Sequence, residues 1–284
     1  MFTDTKSALL YVLFCAVIPY LLGSLSFSII VSRLLFRKDV RNYGSHNAGM
    51  TNVLRTFGKG AAALTLAGDI GKGVAAVLLA KWFFSAHLND AIYYRGAIIG
   101  VYLAAFFAVI GHVYPLYFGF KGGKAVSVAT GTIAALEPVL LVPLAAIFFV
   151  TLACGKMVSL ASVLCAAAYP LVTLCYQQFF VHAPAAQVGA ASVGAAVVGL
   201  LVIWLHRGNI ARIRAGTEYK FFQKKKVMPA PPSAFVWWGG QAVLCTLKKR
   251  LALQKARILG RRSPGKDIFS KNGLQIAAGF VIIF

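Results

Sequence analysis

A chain of 284 residues that is 59% hydrophobic and 13% charged, with a mean hydropathy of +0.75, is too apolar for a soluble domain, in which roughly half the residues are apolar. Its net charge of +22 divides into +10 over residues 1–219 and +12 over 220–284. Nucleic acid does not suit so apolar a chain, so a bilayer is the expected solvent, with anionic lipid and anionic substrates as partners.

The elements follow in order. Residues 8–31 are a first span, because the run exceeds the ~7–15 residues of a signal-peptide core and reaches the ~20 that a crossing needs. Arg33, Arg37, Lys38 and Arg41 come next, which by the positive-inside rule places the N-terminus outside and the following polar stretch in the cytoplasm. A second span, 61–84, carries Asp69, Lys72 and Lys81, and the SAHLND loop after it has no Lys or Arg. A third span, 96–113, returns inward. Hydropathy then offers runs at 126–152, 157–181 and 187–205, a count that would leave Arg207, Arg212 and Arg214 outside. Glu137-Pro138 resolves this, since Pro cannot continue a helix interior and restricts the residue before it. The run splits into a short helix, 126–136, and a return helix, 139–153. Eleven residues span only about 16 Å, so the short helix must sit within protein or under a thinned bilayer.

The expected fold is therefore an all-α polytopic membrane protein of about seven helical segments, N-terminus outside and C-terminus cytoplasmic, with Lys156 inside and the HAPAAQ loop outside. Residues 1–220 form the membrane domain. Residues 221–284 form a basic cytoplasmic tail with KKK at 224–226, PAPP at 229–232 and the pair Trp237-Trp238. Over 241–262 the tail is either an amphipathic helix on an anionic leaflet or a chain without fixed order. Cys15, Cys154, Cys165 and Cys175 lie in or beside apolar runs and Cys245 in the tail. Without ligand spacing they read as small buried hydrophobes, and no metal or cofactor is expected.

Three polar islands interrupt the apolar chain: GSHNAGMTNVLRTFGK (44–59), GHVYPLYFGFKGGK (111–124) and HRGNIARIRAGTE (206–218). The first offers Ser45, Asn47, Thr51 and Asn52. A helix over 50–59 would put Thr51, Arg55 and Lys59 on one face, where Arg forks onto phosphate and Lys supplies a point charge. In the second, Lys121-Gly122-Gly123-Lys124 precedes a helix, so consecutive N–H groups there would make an anion nest. GxxxxGK[ST] is absent, which removes nucleotide binding by a P-loop. The third puts His206 and Asn209 three residues apart on one helix face, beside Arg212. Asp69 and Lys72, at i and i+3 inside a span, are costly in lipid and read as an architectural charge pair. A transporter of an organic anion would use the same cations, but such sites usually lie near the bilayer midplane between broken helices.

These islands, together with DIGKG at 69–73, GHVYPLYFGFKGGKAVS from 111 and VSLAS at 158–162, occur in the order seen in the bacterial acyl-phosphate:glycerol-3-phosphate acyltransferases of the PlsY type, which the chain resembles over about residues 8–220. The resemblance implies a multispan enzyme of the bacterial cytoplasmic membrane with its motifs on the cytoplasmic side. It implies acyl transfer from a fatty acyl phosphate to glycerol-3-phosphate, giving lysophosphatidic acid and phosphate. It places Ser45, Arg55 and the Gly122-Gly123-Lys124 turn around the acyl phosphate, and Lys59, Lys124, Ser162, His206 and Asn209 around glycerol-3-phosphate. The acyl phosphate is already activated, so positioning and charge stabilisation suffice without a covalent nucleophile. Either His206 or a donor phosphate oxygen takes the hydroxyl proton. The chain departs from the family in reading GSLSFS in its first span, in Leu205 before His206, and in the tail after 220.

Overall fold

The computed structural model describes residues 5–87 and 98–221. The expected amphipathic helix and tryptophan pair of the tail, Cys245, and most of the loop after the second span lie outside them. The described residues form helices α1 (Thr5–Val12), α2 (Ile18–Gly23), α3 (Phe27–Phe36), α4 (Met50–Phe57), α5 (Lys59–His87), α6 (Ile98–Val113), α7 (Val126–Leu136), α8 (Leu141–Gly155), α9 (Val158–Phe179), α10 (Ala185–Leu205) and α11 (Arg207–Arg214), with a π turn at Leu13–Val17. Among the described residues six stretches are long and apolar enough to cross a membrane: Leu9–Phe36, Lys59–Ser85, Ile99–Phe118, Pro138–Gly155, Val158–Phe179 and Ala185–Leu205. The short apolar helix α7 is the seventh segment.

The break before Pro138 is where the sequence puts it. Glu137 leaves helical geometry (φ −148°, ψ 82°), Pro138–Leu140 makes one 3-10 turn, and α8 begins at Leu141. The first span differs from expectation. It runs on to Phe36 and is interrupted between α2 and α3, where Ser26 is extended (φ −81°, ψ 96°). The interruption is tolerated because hydroxyls take up the local polar groups. Ser24 donates to the Tyr20 carbonyl (2.8 Å), and the Ser26 and Ser28 hydroxyls bond each other (3.1 Å), with all three serines fully buried.

The short helix α7 sits within protein, packed along α5. Gly73 and Gly131 make that approach possible. A Cβ on Gly73 would meet the Val128 carbonyl, and one on Gly131 would meet the Ile70 carbonyl. The end of α7 is closed by Lys81, which donates to the carbonyls of Ala135 (2.6 Å) and Leu136 (3.2 Å), a direct way to satisfy orphan C-terminal carbonyls at membrane depth. Glu137 accepts from Gln177 (3.0 Å), which in turn accepts from Gln187 (3.2 Å).

The cysteines correct one expectation: Cys15 is buried, but Cys154 and Cys175 are exposed on the apolar outside of the bundle. Small thiols sit well against lipid, so burial in protein is not required of them.

The Gly73–Gly131 contact yields a paired test. Gly131→Ala should destabilise the detergent-solubilised protein by about 1–3 kcal/mol, because a methyl driven into backbone forces α5 and α7 apart. Gly71→Ala, where a Cβ meets nothing within 4 Å, should be neutral or stabilising by up to about 1 kcal/mol through helix propensity. Thermal unfolding of both variants in one detergent checks the difference.

Candidate active site

The three islands meet at one end of the bundle and line a single cavity of about 710 Å³. Its polar end holds Ser45, Asn47, Thr51 and Arg55 from the first island, Lys124 and the start of α7 from the second, and His206, Asn209 and Arg212 from the third. Ser162 of α9 also lines it. From there an apolar arm runs between α7, α8, α9 and α10.

The loop of the first island is built around Asn52. Its Nδ2 donates to the carbonyls of Val40 (3.1 Å), Tyr43 (2.9 Å) and Asn47 (3.0 Å), and its Oδ1 accepts from the Ser45 N–H (2.9 Å). This side chain is buried and its amide is tied to four backbone groups of the loop, so its first role is to shape that loop. Asp39 fixes the approach to the loop. It accepts from Arg33 (2.8 Å) and Arg41 (2.8 Å), and Arg41 reaches on to the carbonyl of Phe118 (2.7 Å) in the second island. The Arg41 fork, burial notwithstanding, holds the Asp39 carboxyl far below the usual carboxylate range.

The expected face of Thr51, Arg55 and Lys59 is broken. α4 stops at Phe57 because Gly58 takes φ 93°, ψ −178°, and Lys59 starts a new helix. Thr51 and Arg55 line the cavity, whereas Lys59 is exposed and outside its lining. Arg55 lies over the Tyr219 ring at 4.9 Å and forms no ion pair within 4 Å among the described residues. Burial lowers its affinity for a proton, with Glu218 opposing that shift.

The anion nest also moves. The N–H groups of Gly122 and Gly123 bond the carbonyls of Val113 (3.1 Å) and His112 (3.2 Å), and Lys121 is exposed. These glycines are there for close approach, since a Cβ on either would strike His112. The free N–H groups that face the cavity are instead at the start of α7. Ala125 takes a left-handed backbone (φ 61°), a strain of about 1–3 kcal/mol, and turns Ala125, Val126 and Ser127 onto the cavity wall. First-turn N–H groups have no intrahelical acceptor.

Beneath this turn lies a buried charge cluster. Lys72 Nζ is 2.9 Å from Asp69 Oδ1, 3.0 Å from His112 Nδ1 and 2.6 Å from the Leu25 carbonyl. Asp69, Lys72 and His112 are 1%, 4% and 2% exposed.

In the third island the helix does not continue through His206. Its backbone (φ −93°, ψ 5°) is the joint between α10 and α11, and the joint still delivers His206 and Asn209 to the same cavity. His206 Nδ1 donates to the Val202 carbonyl at 2.8 Å, which leaves Nε2 as an acceptor. Burial, assisted by Lys124, pushes its pKa down to about 4, so the ring is neutral at pH 7. Lys124 donates to Asn209 Oδ1. Burial and the charge of Arg212 push the Lys124 pKa down to about 8, with Glu218 opposing.

Glu218 went unassigned in the sequence, yet it organises this corner. It accepts from Asn209 Nδ2 (2.7 Å), Ser159 Oγ (2.8 Å) and Arg212 Nε (2.7 Å). Burial would raise its pKa, but these hydrogen bonds outweigh burial and hold the carboxyl below its usual range. Its one visible signal was an acid closing an otherwise basic island, in a chain with only seven acids. Ser159 and His112 were missed likewise: each lay inside a noted motif with nothing to separate it from its neighbours.

The family model described as glycerol-3-phosphate acyltransferase matches residues 13–216. A glycerol-3-phosphate acyltransferase of Pseudomonas paraeruginosa is 39% identical over 206 residues, 72% of this chain and 97% of the relative. One of Cupriavidus metallidurans is 40% identical over 212 residues, 75% of this chain and 97% of the relative. Among solved structures, PlsY, an integral membrane glycerol 3-phosphate acyltransferase in its glycerol 3-phosphate form, superposes with a TM-score of 0.60 at 31% identity, covering 76% of this chain and all of the other. The matched stretch runs from inside the first span to beyond α11, and this chain belongs to the glycerol-3-phosphate acyltransferase family.

Proposed function

We propose that this membrane enzyme transfers a fatty acyl group from an acyl phosphate to glycerol-3-phosphate, giving lysophosphatidic acid and inorganic phosphate, at a site facing the cytoplasm with the N-terminus outside. The observation that carries the reading is one cavity with two characters. Its polar end gathers Arg55, Lys124, Arg212 and a helix N-terminus, and its arm is lined by apolar side chains. Two phosphates and a hydrocarbon tail are the ligands such a cavity accommodates. Membership of the family supports glycerol-3-phosphate as acceptor. The same-end convergence of the islands agrees with the charge bias of the loops.

In this reading Ser45, Arg55 and the first turn of α7 hold the donor phosphate. Lys124, Asn209, Arg212 and Ser162 hold the acceptor. Asn47 and Thr51 border both. The acceptor hydroxyl oxygen attacks the acyl carbonyl carbon and forms the new C–O ester bond. The bond from that carbon to the phosphate oxygen then breaks, and phosphate leaves carrying the hydroxyl proton. Arg55 and Lys124 stabilise the negative charge that develops on the carbonyl oxygen, in a site that needs no reorganisation to do so. A His206 with a pKa near 4 is a weak base but a good acceptor. It aligns the hydroxyl through Nε2 while a phosphate oxygen takes the proton. Residues 1–220 carry this activity, and residues 221–284 are a basic tail suited to anionic headgroups.

Purified protein in detergent, given palmitoyl phosphate and glycerol-3-phosphate, should release phosphate only when the acceptor is present. Turnover with acyl-CoA or acyl carrier protein in place of acyl phosphate would overturn the donor assignment. His206→Gln should raise the KM for glycerol-3-phosphate more than it lowers kcat; a fall in kcat of a hundredfold or more at unchanged KM would make His206 the base. Lys124 must be charged to hold phosphate, so kcat/KM should fall as pH rises through about 8. Lys124→Arg should remove that fall between pH 8 and 9, because guanidinium stays protonated. A pH–rate profile at saturating donor measures both.

A further inference from the structure

The apolar arm has a floor. On α9 the lining side chains end at Tyr169, on α7 at Ala134, on α8 at Leu141, and on α10 at Val198. Behind Tyr169 the bundle is filled: Tyr169 is 6% exposed and belongs to the main core cluster with Leu140, Leu144 and Val198. Beyond the floor, about one turn on from Ala134 and two turns on from Tyr169, Glu137 and Gln177, joined by Gln187, close the interior with side-chain hydrogen bonds, and such groups repel a hydrocarbon tail. From the level of His206 to Val198, and from Val126 to Ala134, the arm is about 12 Å deep at 1.5 Å per residue, the length of about ten extended methylenes. Half the hydrocarbon thickness of a bilayer is about 15 Å, so a membrane-length tail overruns the arm. The one thin wall is α8. It is the least buried of the six spans, 17% against 33% or more for the other five, so the remainder of a long tail has lipid beside it there.

We propose that Tyr169, with Ala134 opposite, is the floor that sets acyl-chain selectivity: the first ten or so carbons are read by the arm, and carbons beyond them leave past α8 into lipid unread. This deepens the acyl-phosphate reading and rests on it. Selectivity by length then follows from how much apolar surface the arm removes from water or detergent.

The test measures kcat/KM for hexanoyl, decanoyl and palmitoyl phosphate at fixed detergent and saturating glycerol-3-phosphate. The intact protein should gain at least tenfold from six to ten carbons and less than threefold from ten to sixteen. Ala134→Phe, which fills the floor, should lower decanoyl turnover at least tenfold and leave hexanoyl turnover within twofold. Tyr169→Ala, which opens the floor, should raise the palmitoyl-to-decanoyl ratio at least threefold. Retained hexanoyl turnover shows that a variant is folded, and if Ala134→Phe loses it the Tyr169→Ala ratio decides alone. Ratios unchanged in both variants, or a steady climb to sixteen carbons in the intact protein, would overturn the floor while leaving the enzyme's assignment standing. Absence of turnover by the intact protein with all three donors would instead overturn the acyl-phosphate reading, and the floor with it.

Discussion

The ammonium of Lys72 is the point on which the active end of this bundle depends. An ammonium group carries three donors and no acceptor, and at membrane depth no solvent meets them. Here the Leu25 carbonyl and His112 Nδ1 accept from it, and Asp69 Oδ1 pairs with its charge at 2.9 Å. Each belongs to a different part of the fold. Asp69 lies one turn back on α5, His112 near the end of α6, and Leu25 in the interruption between α2 and α3. The broken first span, costly on its own, is thereby useful, because only a carbonyl released from helical bonding is free to face Lys72. Removing one partner of such a buried pair costs about 3–5 kcal/mol, so the cluster locks three helices in one arrangement. The Gly122–Gly123 turn lies directly on His112, and that turn sets where Lys124 and α7 begin.

Charge in the cavity is arranged as an excess held in place by a single acid. Burial first, and the neighbouring charge of Arg212 second, lowers the proton affinities of Arg55 and Lys124. Glu218 binds Arg212 directly and turns the Asn209 amide so that its oxygen faces Lys124. Glu218 offsets the charge of Arg212 alone, so the corner keeps a net positive charge. Preorganised charge of this kind costs nothing to rearrange when a substrate arrives.

Much of this was legible beforehand, for identifiable reasons. Span lengths and the Glu137-Pro138 break follow from hydropathy and from the missing N–H of proline, both local properties. The meeting of the three islands followed from charge parity. What stayed hidden depends on pairs distant in sequence. Asn52 looked like a binding amide until its four partners in the 40–47 stretch and at Ser45 were seen. Gly122 and Gly123 looked like anion donors, but their N–H groups are committed to carbonyls nine and eleven positions back. Lys59 looked aligned with Arg55 because periodicity cannot show that Gly58 resets the helix. His112 gave no periodic or compositional signal, and Glu218 only that of a lone acid closing a basic island.

The short helix α7 draws these strands together. A full-length span would place its N-terminus at the membrane surface, where water satisfies the first-turn N–H groups. An eleven-residue helix held inside protein can place that end at an internal cavity instead, where its dipole acts on a bound anion in a medium of low dielectric. The arrangement requires that the opposite end, equally far from water, be satisfied, and Lys81 does this from α5 at the carbonyls of Ala135 and Leu136. It also requires that α5 approach closely along its length, which Gly73 and Gly131 permit. One helix, α5, therefore caps the far end of α7, sets its distance, and through Asp69 and Lys72 fixes the turn that starts it. The two charges and the glycines inside that apolar span answer one demand: to hold a truncated helix with its N-terminus inward.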